Sequence, residues 1–319
     1  MNKINTTQIQ EAVALLQAGE LVALPTETVY GLGAHARHPG AIRKIFLAKE
    51  RPFTHPLIVH LASAGQLSAW AREIPASALK LAQAFWPGPL TLILKKQPEV
   101  SELLTGGQDT IGLRIPAHPI AQALLQAFGE GIAAPSANRY THLSPTTSEA
   151  VREELGTKVS CILEGGICEI GIESTIMDLS GEQPVILRPG MISAAQLEQV
   201  LGQPLGTPHK NLPRAPGMDK LHYAPETKVV LVEDLSYFLS YLDERDLPLA
   251  LLTQQEPSTQ LPGLHWIRMS KQPQQYAHDL YLTLRALDKQ GFKKILIETL
   301  SLKPEWDAIR DRLEKASAA

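Results

Sequence analysis

The sequence predicts an α/β protein in two domains, and three observations carry that expectation. Short apolar runs alternate with stretches of helical periodicity along the chain. The length, 319 residues, suits about two domains. A proline-rich break falls at 205–227, and a second α/β alternation resumes after it. Domains are therefore expected at 1–204 and 228–319, joined by a semi-stiff linker at 205–227. Hydrophobic residues at 44% and charged residues at 20% suit a globular protein with a large core. The net charge of -3 gives no whole-chain bias toward nucleic acid or anionic membrane. Two cysteines, Cys161 and Cys168, imply no disulfide framework. The start, Met1 to Thr6, lacks an apolar signal core, and no apolar run is long enough to span a bilayer. A cytoplasmic location is expected.

The elements follow in order. Thr6 or Thr7 is expected to cap a helix to Leu16, with Ile9, Val13 and Leu16 on one face and Gly19 as its stop. Leu21–Leu24 is a short buried strand. It leads into Pro25-Thr26-Glu27-Thr28-Val29-Tyr30-Gly31-Leu32-Gly33, a hydroxyl-rich turn followed by two glycines. The C-terminal edge of a strand is where α/β proteins hold ligands. The Gly-x-Gly lacks the third glycine of a dinucleotide fingerprint. Pro39–Ala48 reads as a helix with Ile42, Ile45 and Phe46 inward. Its end delivers Lys49 and Arg51 to the lip of the apolar run Leu57–His60, although a lone Lys-x-Arg is ordinarily a solvated face. Helices are expected over Ala64–Trp70 and Ala76–Phe85. Trp86-Pro87-Gly88-Pro89 then turns into a strand, Leu90–Leu94, with Trp86 as a core plug.

Thr110–Pro116 alternates, so Thr110, Gly112 and Arg114 share a strand face that Gly112 leaves open. Burying Arg114 requires an anion, and either a ligand or a structural salt bridge supplies one. A helix to Phe128 precedes Ile132–Asn138, which repeats the order of strand, proline and small polar residues. Ser144-Pro145-Thr146 is expected to begin a helix, with Ser144 as cap or anion site. Strands follow at Glu173–Asp178 and Val185–Arg188. Past the linker, strands at Val229–Val232, Leu249–Leu252 and Ile295–Ile297 alternate with helices at Gln274–Lys289 and Glu305–Lys315, a small parallel α/β pattern. His222 and Tyr223 are unusual in a linker and suit a lid over a cleft.

No paired carboxylates, His-Glu-x-x-His, Cys-x-x-Cys, Gly-x-Ser-x-Gly or Walker loop occurs. Thr26, Thr28, Thr110, Ser136 and Ser174 lie at strand ends, with Lys49, Arg51, Arg114 and Arg188 adding positive charge. Hydroxyls and cations without a nucleophile suit an anionic ligand such as a nucleotide, with catalysis by positioning and charge stabilisation. Charge-assisted hydrogen bonds contribute about 1.5–3 kcal/mol each, so several suffice for micromolar binding.

Pro25 to Gly33, Lys49-x-Arg51-Pro52 with Pro56-Leu57-Ile58-Val59-His60, Arg114-Ile115-Pro116, and Ala134-Pro135-Ser136-Ala137-Asn138 stand in this order. Together they resemble the YrdC-type domain of the threonylcarbamoyl-AMP synthases. Pro216-Gly217-Met218 and His222-Tyr223-Ala224-Pro225, with the extra α/β domain, resemble the long form of that family. The resemblance implies a twisted mixed-sheet N-terminal domain around a positive cavity, a Rossmann-like parallel α/β C-terminal domain, and a linker over the cavity. It implies a nucleotidyltransferase that joins L-threonine, bicarbonate and ATP into L-threonylcarbamoyl-AMP and pyrophosphate, for tRNA modification beside the anticodon. Thr28, His60, Arg114, the Ala134 backbone and Ser174 match threonine positions. Arg51, His55, Thr110, Ser136, Ser144, Arg188 and Tyr223 match positions near ATP. Lys49 with Arg51, and Ser136 with Asn138, match the family's phosphate-binding pairs, Lys49 and Arg51 being the catalytic ones. Mg²⁺ accompanies ATP without a dedicated protein site. Downstream threonylcarbamoyl-transfer proteins and a weak tRNA contact are the implied macromolecular partners.

The family commonly has asparagine where this chain has His55, and an imidazole also donates or accepts a hydrogen bond. Two other functions compete with the synthase: an RNA-binding module without chemistry, and a carbamoyl-phosphate-using transferase. The tyrosine-bearing linker and free-standing architecture favour the synthase over the latter.

Overall fold

The computed structural model describes residues 5–209, 211–220, 222–257 and 261–318. In the first part of the chain, helices α1 (Thr6–Gln17), α2 (Pro39–Lys49), α3 (Ala76–Phe85), α4 (Glu102–Thr105), α5 (Pro119–Phe128), α6 (Ser148–Leu155) and α7 (Ala194–Leu201) accompany a mixed sheet. Its strands are β1 (Val22–Leu24), β2 (Gly31–His35), β3 (Ile58–His60), β4 (Leu90–Lys95), β5 (Thr110–Arg114), β6 (Ile132–Ala133), β7 (Cys161–Ile162), β8 (Thr175–Asp178) and β9 (Val185–Arg188). They form nine strands in the order β7-β1-β2-β6-β3-β5-β4-β8-β9. A second, wholly parallel sheet holds β10 (Val229–Val232), β11 (Leu249–Thr253), β12 (Leu264–Arg268) and β13 (Lys294–Glu298) in the order β10-β13-β11-β12. Helices α8 (Leu235–Ser240), α9 (Pro273–Asp288) and α10 (Asp307–Ser317) complete that part. Among the described residues, no helix is long and apolar enough to cross a membrane.

Local chemistry sets the helix ends. Asn5, not Thr6 or Thr7, caps α1: its side-chain oxygen accepts from the Thr7 and Gln8 amides, so Thr6 already lies in the first turn. Ala12 takes the core position expected for Val13, which is only partly buried. Ile42, Ile45 and Phe46 of α2 are buried as expected, each side chain contributing about 1.5–3 kcal/mol. Ser144 starts no helix. The Pro145 and Thr146 carbonyls accept from the Tyr30 and Cys168 amides, and α6 begins after Thr147, whose side chain accepts from the Ala150 amide. A Cβ at Gly112 would lie 3.2 Å from Ile93 and 3.3 Å from Ile58, so the space beside it is a narrow slot that Gly112 borders together with Thr110.

Register brings the functional ends together. β3 runs parallel to β5 with His60 opposite Arg114, and β8 runs parallel to β4 with Thr175 opposite Leu90. The loop between antiparallel β1 and β2 carries Thr26 to Tyr30. The second core crosses the boundary between the sheets: Val29, Leu143 and Ile172 pack with Tyr276, Leu280 and Ile309. Gly171 (φ +83°) permits this approach, since a Cβ would lie 2.5 Å from the Ala277 carbonyl oxygen on α9.

Candidate active site

One end of the site is built on the β1–β2 loop. The Thr26 hydroxyl donates to the Val29 carbonyl (2.6 Å) and accepts from the Thr28 and Val29 amides (both 3.2 Å). Its one hydrogen is thereby used, so across the 2.8 Å contact between the two hydroxyls Thr28 donates to Thr26. Thr28 in turn accepts from Arg114 Nη1 (3.0 Å). Arg114 also donates through Nη2 to Glu27 Oε1 (2.7 Å) and through Nε to the Gly88 carbonyl (3.1 Å). Glu27 Oε2 accepts from the Ala117 amide (2.9 Å). Of the two alternatives for Arg114, the structure shows the buried salt bridge, and the residue also borders the cavity. Burial, with Arg114 alongside, holds His60 well below the ordinary histidine value, so the ring is neutral. Its Nδ1 has no partner among the described residues. Ser174 Oγ lies 2.8 Å from Thr91 Oγ1 and accepts from Arg188 Nη2 (3.2 Å).

The other end is cationic. Glu50, in left-handed conformation (φ 55°), ends α2 and parts Lys49 from Arg51. Arg51 faces the cavity and donates through Nη2 to the Pro56 carbonyl (3.0 Å), while its Nε is buried without a partner among the described residues. Burial lowers Arg51 to about 10, leaving it charged at neutral pH. Lys49 turns away: its ammonium donates to the Ser136 and Asn138 carbonyls at 2.6 Å each. Burial, then the neighbouring Arg51, push Lys49 well below the usual lysine value. Asn138 Nδ2 donates to the Arg139 and His142 carbonyls. Lys49 and Asn138 thus shape the loop that presents Ser136. Arg188 donates through Nε and Nη2 to the Ser174 carbonyl and through Nη1 to the Pro216 carbonyl (3.1 Å), which ties the linker to β9.

Between these ends lies a cavity of about 50 Å³. Every residue matched to a threonine position borders it, namely Thr28, His60, Arg114, Ala134 and Ser174, and so do Arg51, Ser136, Arg188 and Tyr223 of the ATP group. Lys49, His55, Thr110, Asn138 and Ser144 do not. Thr110 borders a narrower slot of about 10 Å³, which shares Ile58 and Pro216 with the cavity. His55 Nδ1 lies 3.6 Å from Asp219 Oδ2, and the Tyr140 hydroxyl donates to the same oxygen (3.1 Å), so both hold the linker. Ser144 Oγ donates to Glu173 Oε1 (2.5 Å). Pro216, Gly217, His222 and Tyr223 of the linker cover the cavity. Pockets for drug-sized ligands are about 300 Å³ or more, so the cavity with the linker in this position is smaller than a nucleotide.

Glu27, Tyr140, Glu173 and Asp219 were given no role by sequence reasoning. Glu27 carried a signal, an acid inside a hydroxyl-rich turn that had to be buried and paired. Among the described residues, Glu173 is the one carboxylate bordering the cavity. Among the described residues, no group of three or more His, Cys, Asp or Glu side chains is placed to hold a metal ion.

Three arginines and a set of hydroxyls at the ends of a mixed sheet, under a covering linker, define a protein built to bind small anionic ligands. Comparison with known proteins narrows the class. The Sua5/YciO/YrdC family model, described as "Telomere recombination", matches residues 14–190. The model for the threonylcarbamoyl-AMP synthase C-terminal domain matches residues 192–318. The threonylcarbamoyl-AMP synthase of Pyrococcus abyssi is 38% identical, with 99% of this chain and 95% of the relative covered. That of Bacillus subtilis is 38% identical, with 98% and 94% covered. The crystal structure of P. abyssi Sua5 complexed with L-threonine superposes with a TM-score of 0.89 at 37% identity, covering 99% of this chain and 96% of that one. This chain belongs to the threonylcarbamoyl-AMP synthase family.

Proposed function

We propose that this chain is an L-threonylcarbamoyladenylate synthase, a nucleotidyltransferase acting on L-threonine, bicarbonate and ATP. One observation carries the reading. A single linker-covered cavity is bordered at one end by Thr28, His60 and Arg114 and at the other by Arg51, Arg188 and Tyr223. The fold shared with a relative solved with L-threonine supports it.

The remaining N–H groups of Arg114 pair with the threonine carboxylate, and neutral His60 offers its unpartnered Nδ1 beside it. The threonine amine attacks the bicarbonate carbon; the N–C bond forms, a C–O bond breaks, and the oxygen leaves as water with the amine proton, which gives the carbamate. A carbamate oxygen attacks the α-phosphorus of ATP; the bond to the bridging oxygen breaks, and pyrophosphate leaves with the electron pair. Arg51 and Arg188 stabilise the charge on the phosphates, and Lys49 acts by fixing the loop that carries Ser136 and Asn138. Mg²⁺ travels with the triphosphate, because Glu173 is already engaged by Ser144, Tyr281 and Arg312. The product then passes to proteins that transfer its threonylcarbamoyl group to tRNA.

The test is pyrophosphate release from ATP. It should require both threonine and bicarbonate; ATP turnover indifferent to threonine would sink the reading. Replacement of bicarbonate by carbamoyl phosphate would favour the transferase alternative.

A further inference from the structure

We infer that Arg312, on α10 of the second domain, is a positioning residue of the nucleotide site: it neutralises Glu173 so that the cavity accepts a triphosphate. The inference rests on the reading of this cavity as an ATP site. It gives the second domain a part in ligand binding.

Arg312 is the largest fully buried side chain among the described residues, 1% exposed, on a helix whose other charged residues are half-buried or exposed. Its Nε donates to Glu173 Oε2 (2.7 Å), and its Nη2 donates to the Pro189 carbonyl (3.1 Å). Asp311 pairs with its Nη1. Its guanidinium carbon also lies 5.0 Å from the centre of the Tyr223 ring, a cation–π contact with the linker residue that borders the cavity. Tyr281 on α9 stacks on the same ring (6.0 Å, 26°) and donates to Glu173 Oε2 (3.2 Å). The second domain thus holds both Glu173 and Tyr223.

The electrostatic reason is specific. Among the described residues, Glu173 is the carboxylate that lines the cavity itself, beside Arg51, Arg114 and Arg188, while Glu27 pairs with Arg114 from outside the lining. Burial favours its protonation, but Arg312 and Arg188 outweigh that and hold its carboxyl at about 2, so it is ionised at neutral pH. An ionised carboxylate without its cation repels an incoming triphosphate, and like charges brought together cost several kcal/mol. Arg312 approaches from behind, outside the cavity lining, and takes up none of the space a nucleotide needs.

Three variants of the full chain test this: Arg312→Gln, Glu173→Gln and the two combined. Pyrophosphate release is measured with ATP varied at saturating threonine and bicarbonate, then with threonine varied. ATP binding is measured by calorimetry on the same proteins. Arg312→Gln should raise KM and Kd for ATP about tenfold or more, with KM for threonine within about threefold of wild type. Adding Glu173→Gln should return ATP binding to within about threefold of wild type, a rescue that a merely structural role would not give. Unchanged ATP binding in Arg312→Gln overturns the inference, as does a loss that Glu173→Gln fails to relieve. If Arg312→Gln does not fold, the double variant, free of the stranded charge, decides by the same threshold. Wild-type protein that binds ATP but releases no threonine-dependent pyrophosphate would refute the proposed reaction while leaving this charge test intact.

Discussion

The Lys49 ammonium lies 2.6 Å from the Ser136 carbonyl oxygen and does not border the cavity. A lysine used this way fixes a loop, and its positive charge reaches a ligand only at second hand. Lys49→Met should therefore reduce both stability and turnover. Two buried carbonyls would lose their donor, costing about 1–3 kcal/mol, and pyrophosphate release should fall about tenfold or more as Ser136 is displaced. Thermal melts and turnover on the same preparation check it; wild-type values in both would remove Lys49 from the site.

Thr26 and Thr28 should separate cleanly. Thr26 spends its hydroxyl on the Val29 carbonyl and on two amides, so Thr26→Val should act mainly on stability, by about 1–3 kcal/mol. Both residues border the cavity, but of the two it is Thr28 that accepts from Arg114, so Thr28→Val should raise the threonine KM about tenfold, with little change in the ATP KM. Threonine titrations of the two variants, with denaturant melts, compare the effects. Equal threonine KM values for both would refute the division.

Tyr223 sits at φ 60°, 1% exposed, between Arg312 and Tyr281. Its ring does most of the holding, since its hydroxyl is a long 3.5 Å from Arg188. Tyr223→Phe should keep ATP affinity within about threefold, while Tyr223→Ala should weaken it about tenfold or more. Calorimetric titration with ATP distinguishes these outcomes, and identical affinities for the two variants would make the linker a simple tether.

Acid should unfold the protein in two stages. His60 and His222 are held well below the ordinary histidine value, His60 by burial and Arg114, His222 by burial and then Arg51. The unfolded chain takes up protons below about pH 6.5 that the folded chain refuses, so stability falls as the pH drops below that point. Each histidine contributes a slope of up to about 1.4 kcal/mol per pH unit. Glu173, at about 2 in the fold, adds stability that is present above about pH 4.3 and lost on further acidification. Urea titrations across this range should show a shallower decline between about pH 6.5 and about pH 5 for His222→Gln. An unchanged slope would mean that His222 charges without unfolding.

Much of this was legible in the sequence, and the gaps have causes. β4 and β5 announce themselves through aliphatic runs, as does α2 through Ile42, Ile45 and Phe46. β2, Gly-Leu-Gly-Ala-His, lacks β-branched residues and was not read as a strand. β12, whose burial is only partial, and the short α8 were missed as well. Ser144 had the chemistry of a cap, but tertiary bonds to Pro145 and Thr146 claimed the backbone around it. Of the residues that border the cavity, those presented by strand ends and the β1–β2 loop were legible because proline and hydroxyl punctuation marks such ends. Arg312 was not, because Asp-Arg-Leu-Glu-Lys on a helix reads as a solvated charged face. Only the packing of one domain against the other buries it.

Val29 stands one residue from Thr28 yet belongs to the core of the second sheet. Close-packed interiors transmit displacement rather than absorb it. Through Val29 the packing of α9 comes within a single peptide unit of Thr28. The core of the small sheet and the loop that carries the Thr28 hydroxyl thus share one continuous packing.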